Sequence, residues 1–367
     1  MVFDSKKYSK EIEARKILKN ILIDISIPAD VFLMEQIANK FRARNHRILL
    51  TTRRFPDFDS FKEKLTKIGA IQCGDYAESL ENKLLYSSQR IIEMEKIVLR
   101  ELDSLDVVIS NTGVEACRVG FGLGAKVHTF WDHPQAIPQA KLTLPLSDYI
   151  YYPWLITDAR GYNSEATLEP YKGFLHLAWI KDFRVDENIL KKLYLEKDKP
   201  IILFRESETK SAYLLGKQDI TFLAIMKLAK KYPEIQFVTK PRYDFTYASK
   251  YFPLNEYPNV FLLSGYVDLQ SLIAKSSLIL GGGATISLEA SYFGIPTILC
   301  RPIGSTIDEF LFSSKFGLQA QSVEGIEKLF EYFVKYDFKN DYHKEISRRV
   351  YEDMEFPFSE LIKNVEE

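Results

Sequence analysis

Short β-branched or aromatic runs alternate with longer stretches of helical periodicity along almost the whole chain, the texture of βαβ units and parallel sheets. The first run is Ile21 to Ile25, ILIDI. Apolar Val31, Met34, Ile37, Ala38 and Phe41 then recur at helical spacing and predict a helix from about Asp30 to Arg44. Arg47 to Thr52 reads as the second strand, Ser60 to Ile68 as a helix, and Ile91 to Leu102 as part of a long helix. Asp106 to Ser110, Lys126 to Trp131 and Asp148 to Tyr151 continue the strands. A second series opens at Pro200 to Arg205, after a charged stretch with weak strand signal from Asp182 to Lys199. Ile235 to Lys240, Val260 to Ser264, Leu278 to Leu280 and Pro296 to Cys300 complete it, with helical patterns between. The stretch from about Asp341 to Val365 predicts a helix broken near Pro357.

The two series predict an α/β chain of two Rossmann-like domains, residues 19–180 and 181–340. A charged N-terminal tail, residues 1–18, precedes them and a C-terminal helical tail, residues 341–367, follows. Ligands of such sheets bind beyond the carboxyl ends of the strands, so a cleft between two facing domains is the default site. The 367 residues suffice for both cores. Lys and Arg number 49 against 50 Asp and Glu, and neither half, divided at residue 180, has the basic field of a nucleic-acid binder. Cys73, Cys117 and Cys300 lie far apart with no CxxC pair, so neither a disulfide framework nor a zinc site is indicated. The N-terminus is charged from Asp4 onward and lacks the apolar segment of a signal peptide, and no apolar run nears the roughly 20 residues that span a bilayer. These features predict a cytoplasmic protein with at most a peripheral contact with membrane.

The most informative segment is Ser277 to Pro302, SLILGGGATISLEASYFGIPTILCRP. A buried strand runs into Gly281, Gly282 and Gly283, and a helix starts at Ala284 or Thr285 and ends at Gly294. Glycines let the backbone turn tightly beside a ligand, and a helix start offers unpaired N–H groups and a positive dipole end to phosphate. Thr285 and Ser287 add hydroxyl donors, and Glu289 lies where a carboxylate could accept hydrogen bonds from ribose. Close strand–helix packing accounts for three glycines as well, and a solvated helix face accounts for Glu289. The whole pattern GGGxTxxxEAxxxGxPTI resembles the donor-binding segment of GT-B glycosyltransferases and of UDP-sugar 2-epimerases. That resemblance implies main-chain amides on a diphosphate and the glutamate on the ribose of a nucleotide sugar.

Other segments supply candidate acids and bases. Ser110 to Gly113 is a polar turn after a strand, Glu115 to Gly122 a helix, and a later strand delivers Asp132 and His133 at its carboxyl end. A histidine beside an aspartate there can act as an acid–base pair or be a plain surface pair. Glu115 could equally complement a helix dipole. Asp24 sits inside an apolar strand, where a carboxylate needs a partner. Asp30 follows at a helix start, where it can be an N-cap or can face the cleft and take a proton from an acceptor hydroxyl. Arg205 ends the first strand of the second series and can pair with a diphosphate or with Glu206 or Glu208.

These segments, with Thr51 to Arg53 and YKGFLHLAWI at Tyr171 to Ile180, resemble a largely archaeal family of proteins assigned to the GT-B superfamily. Its pattern DIxxPxHV corresponds to DISIPADV here, and EAxRVAFGLG, LPLAD and GGTMxREA correspond to EACRVGFGLG, LPLSD and GGATISLEA. The resemblance covers roughly residues 20 to 320. It implies GT-B architecture, with parallel sheets facing across a cleft, and a metal-independent transfer of sugar from a nucleotide diphosphate, UDP in the first instance, to an acceptor. Where the family tends to have histidine, this chain has Asp30. In a related GT-B enzyme, the lipid-linked N-acetylglucosaminyltransferase of peptidoglycan synthesis, a histidine in the corresponding turn is a candidate base. An aspartate ionises below neutrality and could serve without tuning.

The leading expectation is therefore a glycosyltransferase. Arg205, Gly282, Gly283, Ala284, Thr285 and Glu289 would bind the nucleotide sugar, Asp30 then His133 would be candidate bases, and Asp24, Glu115 and Asp132 would contact acceptor or sugar. Aromatic residues around Tyr149 to Trp154 raise a lipid-linked acceptor. The alternatives are a UDP-N-acetylglucosamine 2-epimerase-like enzyme, using Asp24, Glu115, Asp132 and His133 as acid–base groups, and a nucleotide-sugar-binding protein without catalysis. No cofactor and no metal are expected. Asp57-Phe58-Asp59 has a metal-binding DxD spacing, but it precedes a helix and capping explains it. Hydrolase elbows, P-loops, HExxH and dinucleotide fingerprints are absent.

Overall fold

The computed structural model describes residues 18–55, 58–77, 79–156, 159–206, 220–241, 245–281, 283–300 and 304–367. Asp57, Glu208 and Gly282 among the sequence candidates lie outside them. The first half comprises β1 (Asn20–Ile25), α1 (Pro28–Arg42), β2 (Arg47–Thr52), α2 (Phe58–Ile68), β3 (Ala70–Gln72), α3 (Leu80–Glu101), β4 (Val107–Asn111), α4 (Val114–Gly122), β5 (Lys126–Phe130), α5 (Ile137–Thr143), β6 (Tyr149–Pro153) and β7 (Thr167–Tyr171). Short helices α6 (Leu177–Ile180) and α7 (Ile189–Lys192) connect it to the second half. That half runs β8 (Ile201–Arg205), α8 (Thr221–Lys231), β9 (Gln236–Thr239), α9 (Phe245–Tyr251), β10 (Val260–Leu262), α10 (Leu269–Lys275), β11 (Leu278–Gly281), α11 (Ala284–Tyr292), β12 (Thr297–Leu299), α12 (Thr306–Ser313), β13 (Gly317–Gln319) and α13 (Val323–Lys335). Helices α14 (Asp341–Tyr351) and α15 (Phe358–Glu366) end the chain.

The strands form two parallel sheets, ordered β3-β2-β1-β4-β5-β6-β7 and β10-β9-β8-β11-β12-β13. The α/β expectation of two doubly wound domains therefore holds. Central strands such as β1 and β11 read as continuous apolar runs because helices cover both faces of a parallel sheet. Strands β3, β7 and β13, which the apolar pattern does not predict, all lie at sheet edges. Each is partly exposed, and β7 carries Pro170, a residue tolerated at an edge because no ladder bond is lost there. The charged stretch 182–199 holds no strand. Its apolar Ile189 and Leu195 instead bury against β8 and β11 around the short helix α7.

The C-terminal helices tie the halves together. The break predicted near Pro357 is present, with Pro357 as the N-cap of α15. On α14, Tyr351 pairs its hydroxyl with Ser291 Oγ of α11 at 2.6 Å. Helix α15 then returns to the first sheet: Asn364 Nδ2 donates to Tyr151 Oη at 3.1 Å and to Glu169 Oε1 at 2.8 Å, and His46 Nε2 meets Glu366 Oε1 at 3.2 Å. One apolar core accordingly includes Ile21, Ile109 and Tyr151 from the first half, Leu288, Leu299 and Phe310 from the second, and Leu361 and Val365 from α15. No helix among the described residues is long and apolar enough to cross a membrane.

Because Leu361 is fully buried at this junction, Leu361→Ala should lower unfolding free energy by about 2–5 kcal/mol in urea titration, the range for a buried leucine truncation. A change under about 0.5 kcal/mol, the size of an exposed substitution, would mean that α15 does not pack as described.

Candidate active site

The order of neighbouring strands reverses direction between β1 and β4 in the first sheet and between β8 and β11 in the second. Crevices open beyond the carboxyl ends of the strands at such switch points. Asp24, Asp30 and Glu115 belong to the first of them, and Arg205 and the segment from Gly281 to Glu289 to the second.

At the second switch point Gly281, the last residue of β11, pairs in register with Arg205, the last residue of β8. Gly281 has φ +147°, and a Cβ on it would lie 2.0 Å from the Arg205 carbonyl oxygen, so this close approach admits only glycine. Helix α11 then starts at Ala284 with Gly283 as N-cap and no side-chain cap. The amides of its first turn, including Ala284 and Thr285, are of the kind that a helix leaves without internal acceptors. Thr285 is half-buried at the second helical position. Ser287, expected to be a donor to ligand, instead gives its hydroxyl hydrogen to the Gly283 carbonyl at 2.8 Å, as serine inside a helix often does.

Glu289 is not a solvated helix residue. It is 3% exposed, and its Oε1 accepts hydrogen bonds from Trp179 Nε1 at 2.8 Å and Gln270 Nε2 at 3.0 Å. Burial raises its proton affinity above the usual carboxylate range, while the Gln270 and Trp179 bonds and the positive charge of Arg205 pull the other way. Arg205 thus acts on the same buried carboxylate.

At the first switch point, the expectation that α1 begins at Asp30 is corrected. The helix starts two residues earlier with Pro28, and Ile27 is the N-cap. Asp30 is therefore the third helical residue, and its side chain reaches back so that Oδ2 accepts the Ser26 and Ile27 N–H groups at 3.0 and 3.1 Å. Oδ1 accepts from Asn111 Nδ2 at 2.9 Å. Asp30 is 1% exposed, and burial lifts its pKa from 3.8 to about 7 despite these three bonds, with the nearby Asp24 charge adding to the rise. The expectation that an aspartate here needs no tuning is thus replaced by a carboxyl poised near neutrality.

Asp24 and Glu115 have a partner that the sequence reading does not single out. Arg90 of α3, 1% exposed, donates from Nη2 to Asp24 Oδ1 at 2.6 Å, from Nη1 to Glu115 Oε2 at 2.8 Å and from Nε to the Cys73 carbonyl at 2.8 Å. Thr51 Oγ1 and Ser26 Oγ complete the donors to Asp24. The signal was present: Arg90, Met94 and Ile97 share one face of α3, so a cation stands in an apolar stripe while a carboxylate stands in an apolar strand. Asp132 and His133 lie together just past β5, with Asp132 Oδ1 and His133 Nδ1 2.7 Å apart and the imidazole 39% exposed. Asp59 falls in the first turn of α2. Among the described residues no group of three or more His, Cys, Asp or Glu side chains is placed to hold a metal ion.

Trp179 joins the two switch points. Its indole donates to Glu289 of α11, and its ring centroid lies 6.2 Å from that of Phe32, two residues after Asp30 on α1. Further aromatic contacts cross the halves, among them Phe61 of α2 with Tyr266 at 5.9 Å and Phe174 with Phe310 of α12 at 4.7 Å.

A family model described as protein of unknown function, DUF354, matches residues 19–355. The uncharacterized protein MJ0665 of Methanocaldococcus jannaschii is 28% identical over 291 residues, 77% of this chain and 82% of its own. Among solved structures, a UDP-GlcNAc 2-epimerase from Neisseria meningitidis bound to UDP-GlcNAc is similar with TM-score 0.62 and 15% identity, over 94% of this chain and 99% of that one. The spinosyn forosaminyltransferase SpnP is similar with TM-score 0.63 and 14% identity, over 95% and 100%. The fold is thus that shared by GT-B glycosyltransferases and these epimerases.

The burial of Asp30 has a measurable consequence. A carboxyl that is harder to ionise folded than unfolded stabilises the fold fully below about pH 4, and that contribution is lost as pH rises to about 7. Asp30→Asn retains an acceptor for the Ser26 and Ile27 amides and lacks the titration. Urea unfolding of both proteins should show the stability of wild type relative to variant falling by on the order of 4 kcal/mol between about pH 4 and 7, then levelling. A pH-independent difference would mean that Asp30 ionises as it does in the unfolded chain.

Proposed function

The chain belongs to the DUF354 family, whose description assigns no reaction, and we propose that it is a nucleotide-sugar-dependent glycosyltransferase of GT-B architecture. The observation that carries this reading is that Trp179 links two helices, α11 through Glu289 and α1 through Phe32, of which the first has an uncapped start and the second bears a buried carboxyl tuned to near neutrality. The first suits a diphosphate, and the second suits proton abstraction at physiological pH.

In this reading the nucleotide diphosphate of a UDP-linked sugar lies against the main-chain N–H groups at the start of α11, at Gly283, Ala284 and Thr285. The Arg205 guanidinium offsets the charge that grows on the diphosphate as it leaves. Glu289 keeps Oε1 on Trp179 and Gln270 and offers Oε2 to ribose hydroxyls. The acceptor hydroxyl gives its proton to Asp30 Oδ1 as its oxygen bonds to the anomeric carbon and the bond from that carbon to the diphosphate oxygen breaks. For this Asn111 must release Oδ1, the oxygen free of the backbone clamp. Asp30 works as base only when ionised, so transfer accelerates as pH rises through about 7. His133, oriented by Asp132, is the second candidate base.

A 2-epimerase-like reaction draws support from the likeness to an epimerase bound to UDP-GlcNAc. It asks for several free acid–base groups around the sugar, and Asp24 and Glu115 are instead committed to Arg90. That commitment favours transfer.

Incubation of the protein with UDP-GlcNAc alone separates the readings. The transferase leaves the donor intact or hydrolyses it slowly, and sugar leaves UDP quickly only when an acceptor is added. Conversion to the 2-epimer without acceptor would overturn the transferase reading. Binding without turnover across a broad panel of UDP-sugars and acceptors would make the protein a nucleotide-sugar binder instead.

A further inference from the structure

The nucleotide-sugar reading uses Trp179 only as a contact of Glu289, although Trp179 is 8% exposed and its indole makes a charged hydrogen bond across the halves of the molecule. A carboxylate with one fixed oxygen has a fixed second oxygen. The two donors on Glu289 Oε1 come from different places: Gln270 from α10 in the second domain, and Trp179 from α6 in the connection between domains. Gln270 alone would leave the carboxylate free to turn about that single bond. The Trp179 ring is itself held by Phe32 at 6.2 Å with 31° between planes, and Phe32 belongs to the first domain. The direction of Glu289 Oε2 thus depends on where α1 stands relative to α11.

We propose that Trp179 is a positioning residue for the nucleotide: it fixes Oε1 of Glu289 so that Oε2 meets the ribose hydroxyls, and it makes that contact depend on the first domain being in place. The inference rests on the nucleotide-sugar reading and adds a residue outside the glycine turn. It has a specific consequence. Loss of the indole N–H damages recognition of the ribose hydroxyls and spares recognition of the diphosphate and base, whereas loss of ordinary packing damages all of them alike.

Calorimetry with UDP and with 2′,3′-dideoxy-UDP on wild type and Trp179→Phe tests this. Phenylalanine keeps an aromatic ring beside Phe32 and removes the donor. Wild type should prefer UDP. In the variant, UDP affinity should fall about tenfold, the scale of one hydrogen bond to a charged group, while dideoxy-UDP affinity stays within about twofold and the preference collapses. Equal losses for both ligands would reduce Trp179 to packing and overturn the proposal. So would a wild type that binds both ligands equally, since Glu289 would then not touch ribose. A wild type that binds neither overturns the nucleotide reading and this inference with it. Should phenylalanine unfold the protein, benzothienylalanine at position 179, which puts sulfur in place of the N–H on a ring of the same shape, is subject to the same expected and contrary results.

Discussion

The first domain depends on a guanidinium removed from water. Arg90 bridges β1, α4 and the end of β3 by holding Asp24, Glu115 and the Cys73 carbonyl at once. A buried ion pair of this kind contributes little net stability compared with apolar packing, but losing one partner leaves a bare charge inside and costs about 3–5 kcal/mol. Its value lies in geometry. Through Asp24 it holds the Ser26 hydroxyl, and Ser26 in turn gives its N–H to Asp30. The turn between β1 and α1, and with it the carboxyl proposed as base, is set from below by a residue 60 positions away in the chain.

The second domain reaches a comparable precision by steric means. Gly281 lets β11 press against the backbone of β8, and the chain that leaves this contact turns into α11 with its first amides uncapped. Parallel strands need long crossovers, so each strand feeds a helix start on the same edge of its sheet, and polar chemistry gathers there. The two edges are then related by α15, which carries the end of the chain back to the first sheet, and by Trp179, which touches both. Closure of such domains around a ligand would exclude water and align the reacting groups.

Much of this was legible in the residues. Apolar runs mark the central strands because both of their faces are buried, and the glycine turn with the acid six positions beyond Gly283 marks the second switch point. The edge strands β3, β7 and β13 escape notice because one flank meets solvent and the run loses its apolar character. Asp24 announces the need for a partner, but a linear pattern cannot say that the partner is Arg90. Asp30 is visible as a helix-start acid, and only the fold shows it at the third position, buried and clamped by two amides. Ser287 offers a hydroxyl that the helix itself consumes. Trp179 and Glu289 lie 110 residues apart, so their bond has no local signature at all.

In the proposed mechanism the start of α11 holds the diphosphate of a nucleotide sugar whose anomeric carbon faces Asp30. A crystal structure of the protein soaked with UDP-GlcNAc tests it most directly. Diphosphate oxygens should lie within hydrogen-bond reach of the Gly283, Ala284 and Thr285 amides, a ribose hydroxyl on Glu289 Oε2, and the sugar should point toward α1. A nucleotide bound elsewhere, with the start of α11 bare and Glu289 touching only Trp179 and Gln270, would contradict it.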